Sequence, residues 1–227
     1  MKKSGLMAAA ALPAACAAVL FSASLRPFLQ IQRNEIGSLQ ALTPKILREG
    51  DLTEGVLDNT DGCIAEQTVR NTVYGFSASA HPVSRYYVFS RPDGKLMLYE
   101  TGRQEEYEQL DRLAEACEQY HAALLETVEK DGRKADLRAV TKPAVTFQAS
   151  GIIRSMPEDV RRIFSEWYGE AYTGRFSEAC ETVYLIAQTD YSAVRKKAFV
   201  CAACAAAACI LIAAAGILYC REKRNQQ

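Results

Sequence analysis

Apolar positions follow three patterns along this chain. Leu6 to Leu25 and Ala198 to Cys220 are continuous uncharged runs of 20 and 23 residues. As helices they reach about 30 and 35 Å, against a hydrocarbon core of about 30 Å, so each is long enough to cross a bilayer. Between them, Ser84 to Ser90 and Lys95 to Glu100 are aromatic and apolar runs of strand character, separated by Arg91-Pro92-Asp93-Gly94. Proline presets the turn and glycine accepts a positive φ, which predicts a β-hairpin. Over Arg103 to Val128 the period lengthens to three and four: Tyr107, Leu110, Leu113, Cys117, Tyr120, His121, Leu124 and Val128 recur on one face of a predicted helix, which stops near Asp131-Gly132.

Weaker signals fill the remainder. Glu54 to Leu57 and Cys63 to Val69 flank the turn formers Asp58 to Gly62, which reads as a second hairpin. A strand pattern around Ala139 to Ala149, interrupted by Pro143, leads to Ser155-Met156-Pro157-Glu158, where Ser155 and Glu158 fit a capping box. The helix so started carries Val160, Ile163, Phe164 and Trp167, and a last strand is expected over Thr182 to Ala187. Helices and antiparallel hairpins without βαβ repeats predict an α+β domain, an antiparallel sheet with helices packed on one face, over residues 26–194 between two transmembrane helices at 6–25 and 198–220. Residues 1–5 and 221–227 form the short flanks.

The amino-terminal run has two open readings. Lys2, Lys3 and Ser22-Ala23-Ser24 fit a cleavable signal peptide, whereas the length of the run exceeds the usual signal core and favours an uncleaved anchor. Lipoprotein attachment at Cys16 fits less well, because Pro13 stands where an aliphatic residue is wanted. The second run is bracketed by Arg195, Lys196 and Lys197 and by Arg221, Lys223 and Arg224. Lys/Arg in the short flanks balance, five against five, so orientation rests on the basic amino terminus and on the tolerance of long loops for translocation. Both termini are therefore expected in the cytoplasm and the domain outside.

The formal net charge of zero conceals an uneven distribution. Arg26 to Asp190 holds 19 Lys and Arg against 26 Asp and Glu, a net of −7, and the membrane flanks hold +7. An acidic body excludes the phosphate-binding face that nucleic acid requires. The basic flanks suit lipid head groups instead.

Candidate chemistry is sparse. Gly75 to Ser79 approaches a nucleophile elbow but ends in serine, with no helix pattern after it. Asp58 to Gly62 fails as a calcium loop because Leu57 and Thr68 occupy the positions that need carboxylates. Cys117 and His121 lie four apart on one predicted helix, with Glu118 three before the histidine, but both fall on the apolar stripe and read as core residues before they read as a catalytic pair. His81, before Pro82, reads as a turn residue. Cys63, Cys117 and Cys180 are odd in number, so no disulfide framework is expected. No catalytic residue, cofactor or metal site is assigned. Successive strand residues face opposite sides, so Tyr86 and Tyr87 cannot both enter one core. At least one lies under a helix, in a surface patch or against a partner, and with Tyr99 they form the candidate interaction surface.

The terminal runs, the Ser84-Arg85-Tyr86-Tyr87-Val88-Phe89 strand with its Pro92-Asp93-Gly94 turn, and the Phe164-Ser165-Glu166-Trp167-Tyr168 helix resemble a family of uncharacterised bacterial membrane proteins, chiefly from Firmicutes, with one extracytoplasmic domain between two spans. The resemblance implies a bacterial cell membrane and carries over no catalytic residue. The expected function is an anchored binding module whose partners are the lipid bilayer and another membrane protein or a cell-wall component. The competing class is a surface hydrolase or thiol enzyme built on Cys117 and His121.

Overall fold

The computed structural model describes residues 25–42, 47–69, 72–73, 76–77, 81–131, 140–142 and 144–224. All of the uncharged amino-terminal run except Leu25, together with Gly75, Ala78, Ser79, Gly132 and Pro143, lies outside them. Two units divide the chain: Ile36–Thr189, and a terminal unit of Met1–Glu35 with Asp190–Gln227.

In chain order, helix α1 covers residues 25–33, strand β1 Gly37–Ser38 and a 3-10 turn Leu39–Ala41. Strands β2 (Leu52–Leu57), β3 (Gly62–Val69), β4 (Thr72–Val73), β5 (Phe76–Ser77), β6 (His81–Ser90) and β7 (Leu96–Thr101) follow. Then come α2 (Gln104–Asp131), β8 (Phe147–Ser155), α3 (Glu158–Ala171), α4 (Phe176–Ala179), β9 (Tyr184–Gln188) and α5 (Tyr191–Arg224). The domain is α+β. Its sheet runs β1-β2-β8-β9-β7-β6-β3, and β4 and β5 pair separately.

The β6–β7 hairpin forms as expected, with Arg91 N donating to Lys95 O at 2.8 Å and Gly94 at φ +81°. The side chains of the two strands divide by parity. Tyr87, Phe89, Met97 and Tyr99 join Tyr107, Leu110, Leu113 and Cys117 of α2 in one core, while Tyr86, Val88, Leu96 and Leu98 join Val160, Phe164 and Tyr168 of α3 in the other. The expectation that the helices share one face is therefore corrected: both faces of the hairpin are apolar, and each needs its own helix. The sheet is also mixed rather than antiparallel, because β7 pairs parallel to β9 and β1 parallel to β2.

The second expected hairpin does not form. β2 pairs with β8 and β3 with β6, five strand positions apart in the sheet. In a flat sheet those five steps of about 4.8 Å make roughly 24 Å, whereas the five Cα steps from Leu57 to Gly62 reach at most about 18 Å, so the sheet must curl. The turn formers lace the curl shut. Thr60 Oγ1 donates to Val88 O at 2.6 Å, Asp61 N donates to the same carbonyl at 2.9 Å, and Ser90 N donates to Asn59 Oδ1 at 2.8 Å.

Other boundaries shift. The strand expected near Ala139 to Ala149 is Phe147–Ser155, set by its ladder with β2. Ser155 ends that strand, so the capping box is absent and Pro157 is the N-cap of α3, without a side-chain cap bond. His81 opens β6 opposite Val69 rather than sitting in a turn. In the terminal unit, Asp190 caps α5, its Oδ1 accepting from Ser192 N at 2.8 Å. Among the described residues no helix is long and apolar enough to cross a membrane. The described side chains of α5 omit Leu211, Ile212, Leu218, Tyr219 and Cys220, which are part of its uncharged run.

Two glycines provide opposed tests of this packing. A Cβ on Gly151 would meet Ile186 Cγ2 at 2.5 Å and Ala187 O at 2.6 Å, while one on Gly169 in α3 would meet nothing within 4 Å. Gly151→Ala should lose about 1–3 kcal/mol by overpacking, and Gly169→Ala should gain about 0.5–1 kcal/mol of helix stability. Urea unfolding of the two variants reads both signs.

Candidate functional site

Placed in the fold, the three candidate tyrosines are buried: Tyr86 is 4% exposed, Tyr87 1% and Tyr99 1%. They lie beneath helices on both faces of the sheet, Tyr87 and Tyr99 on one and Tyr86 on the other, and not in a surface patch. Each ring is apolar in its core and each hydroxyl ends on a carboxylate. Tyr86 donates to Glu100 at 3.3 Å, Tyr87 to Asp111 at 2.8 Å and Tyr99 to Glu106 at 3.2 Å. Arg85 ties the second of these to the edge strand, its Nε 2.9 Å from Glu66 and its Nη1 3.1 Å from Asp111, with its guanidinium 4.6 Å above the Tyr107 ring.

The Cys117 and His121 pair separates. Cys117 is buried in the α2 core, whereas His121, one turn on, is exposed beside the Tyr120 ring. The helical spacing was legible, but the depth of α2 in the sheet decides which of the two reaches solvent. Glu118 and His121 do share a surface, the wall of an open groove of about 680 Å³ at the β3 edge. Among the described residues no group of three or more His, Cys, Asp and Glu is placed to hold a metal.

That groove is built from three elements. Its floor is the Thr60–Gly62 entry to β3, where Gly62 takes φ +95° and a Cβ would stand 3.8 Å from that of Ala114. One wall is α2, presenting Asp111, Glu115, Glu118 and His121. The other is the carboxyl end of α3, presenting Trp167 and Tyr172, whose rings stand 5.6 Å apart and edge-on. Tyr172 stacks on the buried Tyr168 at 5.3 Å and its hydroxyl donates to Asp61 at 2.9 Å, so core packing holds the aromatic wall against the floor. Burial beside Asp61 pushes the Tyr172 hydroxyl up to about 12. The groove leaves no signal in the sequence, because its walls lie more than forty residues apart in the chain and belong to opposite sheet faces.

A smaller cavity of about 270 Å³ lies between Leu57 to Asn59 and Phe89 to Pro92. Most polar groups around it are engaged in structure, the buried Arg91 Nε being the exception. Asn59 holds Ser90, and Arg91 pairs with Asp93 and, at 3.3 Å, with Glu181, which itself accepts from Val183 N and Tyr184 N. The groove is thus the candidate site. No family model, curated protein or solved structure matches this chain.

Two predictions follow from these side chains. Desolvation, with Glu100 beside it, pushes the Tyr86 hydroxyl from its ordinary 10.0 up to about 12, so the folded state holds this proton more tightly than the unfolded chain. Its contribution to stability is complete below about pH 10 and falls towards pH 12 by up to about 1.4 kcal/mol per pH unit; Tyr86→Phe should flatten that alkaline limb in urea titrations. Cys63, Cys117 and Cys180 are all free thiols, the first exposed and the others buried. Alkylation of the native protein should modify Cys63 and spare Cys117 and Cys180 until unfolding, and partial desolvation of the Cys63 sulfur, which raises its thiol although the residue as a whole is exposed, should slow its reaction below that of a free thiol.

Proposed function

We propose that this chain is an integral protein of the bacterial cell membrane that presents the Ile36–Thr189 domain outside the cell as an acidic binding module. The reading of the membrane rests on α5. It is one uninterrupted helix of 34 residues that includes the uncharged run Ala198 to Cys220, with Lys and Arg at both ends. Its described apolar residues Phe199, Val200, Ile210 and Ile217 are 58–76% exposed, which suits lipid contact and is costly in water.

The single observation that favours binding over catalysis is the groove. It gathers the carboxylates of Glu115 and Glu118 and the rings of Trp167 and Tyr172 around one opening, while Cys117, the thiol that the sequence pairs with His121, lies in the core. Rigid aromatic rings over a charged wall are the composition of a recognition surface. Cofactors and metals have no part in this reading.

Fractionation tests the membrane half. The intact chain should stay in the membrane pellet through alkaline carbonate, and truncation after Asp190 should weaken that retention. A reporter active only outside the cell should be silent when fused after Gln227; activity there would overturn the two-span arrangement with both termini inside.

A further inference from the structure

The groove lies against a sheet edge. Among the described residues β3 pairs only with β6, and its first residue, Gly62, lines the groove. An exposed edge can pair with another extended chain through backbone hydrogen bonds. On β3 this is limited by register shifts between Cys63 and Ala65 and between Gln67 and Thr68. Such irregularities prevent a long ladder, so an occupant must draw most of its affinity from the side chains of the walls.

The walls differ in chemistry because they belong to opposite faces of the sheet. α2 packs on the face of Tyr87 and α3 on the face of Tyr86. A chain lying along the edge directs alternate side chains to alternate faces. One set would meet Glu115 and Glu118, Asp111 being held by Tyr87 and Arg85, and the other would meet Trp167 and Tyr172. Among the described residues no Lys or Arg lines the groove, and the domain around it carries a net charge of −7, which disfavours a second copy of the same domain as occupant.

We propose that this groove docks an extended basic segment of a partner protein, in which Lys or Arg alternates with apolar residues, the basic set facing α2 and the apolar set facing the rings on α3. The proposal rests on the binding-module reading above and names its partner chemistry. Carboxylates on α2 attract the cations and select against acidic strands. The rings on α3 take the apolar residues, and the β3 entry at Gly62 aligns the backbone.

Trp167 is the only tryptophan of the chain, so its emission reports occupancy directly. The probes are an acetylated hexapeptide of alternating lysine and valine and its block isomer with three lysines followed by three valines, each titrated into the full chain in a neutral detergent. The alternating peptide should change Trp167 emission saturably, and the block isomer should bind at least tenfold more weakly. Glu115→Lys with Glu118→Lys should weaken the alternating peptide at least tenfold, while Glu126→Lys, on the same helix away from the groove, should leave it unchanged. Added salt should weaken binding to the unaltered protein, which supplies the charge test without any substitution. No response to the alternating peptide, equal binding of the two isomers, or indifference to both salt and charge reversal would overturn the proposal. None of these outcomes bears on retention in the membrane pellet, so the membrane reading stands or fails separately.

Discussion

A strand that is apolar at every position must be covered on both faces. That constraint, imposed by Tyr86 to Phe89 and Leu96 to Tyr99, organises the domain: α2 takes one set of side chains and α3 the other. Burying a tyrosine or leucine side chain contributes on the order of 1.5–3 kcal/mol, so leaving either face open would forfeit several such contributions at once. The tyrosine rings add their own condition. Their hydroxyls need partners, and Glu100, Asp111 and Glu106 supply them, each carboxylate itself balanced by an arginine: Arg154, Arg85 and Arg103 in turn.

Covering both faces leaves the sheet edge between two helices. The groove at β3 is a consequence of that arrangement, and its asymmetry follows from the helices that make it. α2 turns its polar side outward beside β3, presenting carboxylates, whereas α3 ends in the aromatic sequence that also fills its core, so Trp167 and Tyr172 emerge where the packing of Phe164 and Tyr168 stops. The same residues therefore stabilise the fold and shape the site. Aromatic packing against a buried neighbour holds a ring still, and a ring already held loses little freedom on binding.

Curling of the sheet is the second condition on the site. Only because β2 approaches the β6 end can Asp58 to Asp61 cross to the far edge and deliver Gly62 at the groove floor. The turn formers of that segment look like a hairpin loop in sequence, yet Asn59 and Thr60 spend their polar atoms on β6, and Asp61 supports Tyr172. At the same turn end of the hairpin, the buried Arg91 with Asp93 and Glu181 fastens it to the approach to β9. A buried ion pair of this kind is destabilising when one partner is removed, so it specifies the connection more than it strengthens it.

By itself the sequence determined what depends on neighbours along the chain. Proline and glycine in Pro92-Asp93-Gly94 set the β6–β7 hairpin, three-and-four spacing from Tyr107 to Cys117 set α2, and the run from Ala198 is helical throughout within α5. Adjacent Tyr86 and Tyr87 already required two destinations. Tertiary structure alone decided which strands meet, that Tyr86, Tyr87 and Tyr99 are all interior, and that Cys117 and His121 part company across the surface of α2. The physical reason is that strand pairing is chosen by the total burial of both sheet faces. A local pattern records which side chains are apolar, and says nothing of which distant helix will cover them or where an edge will be left open.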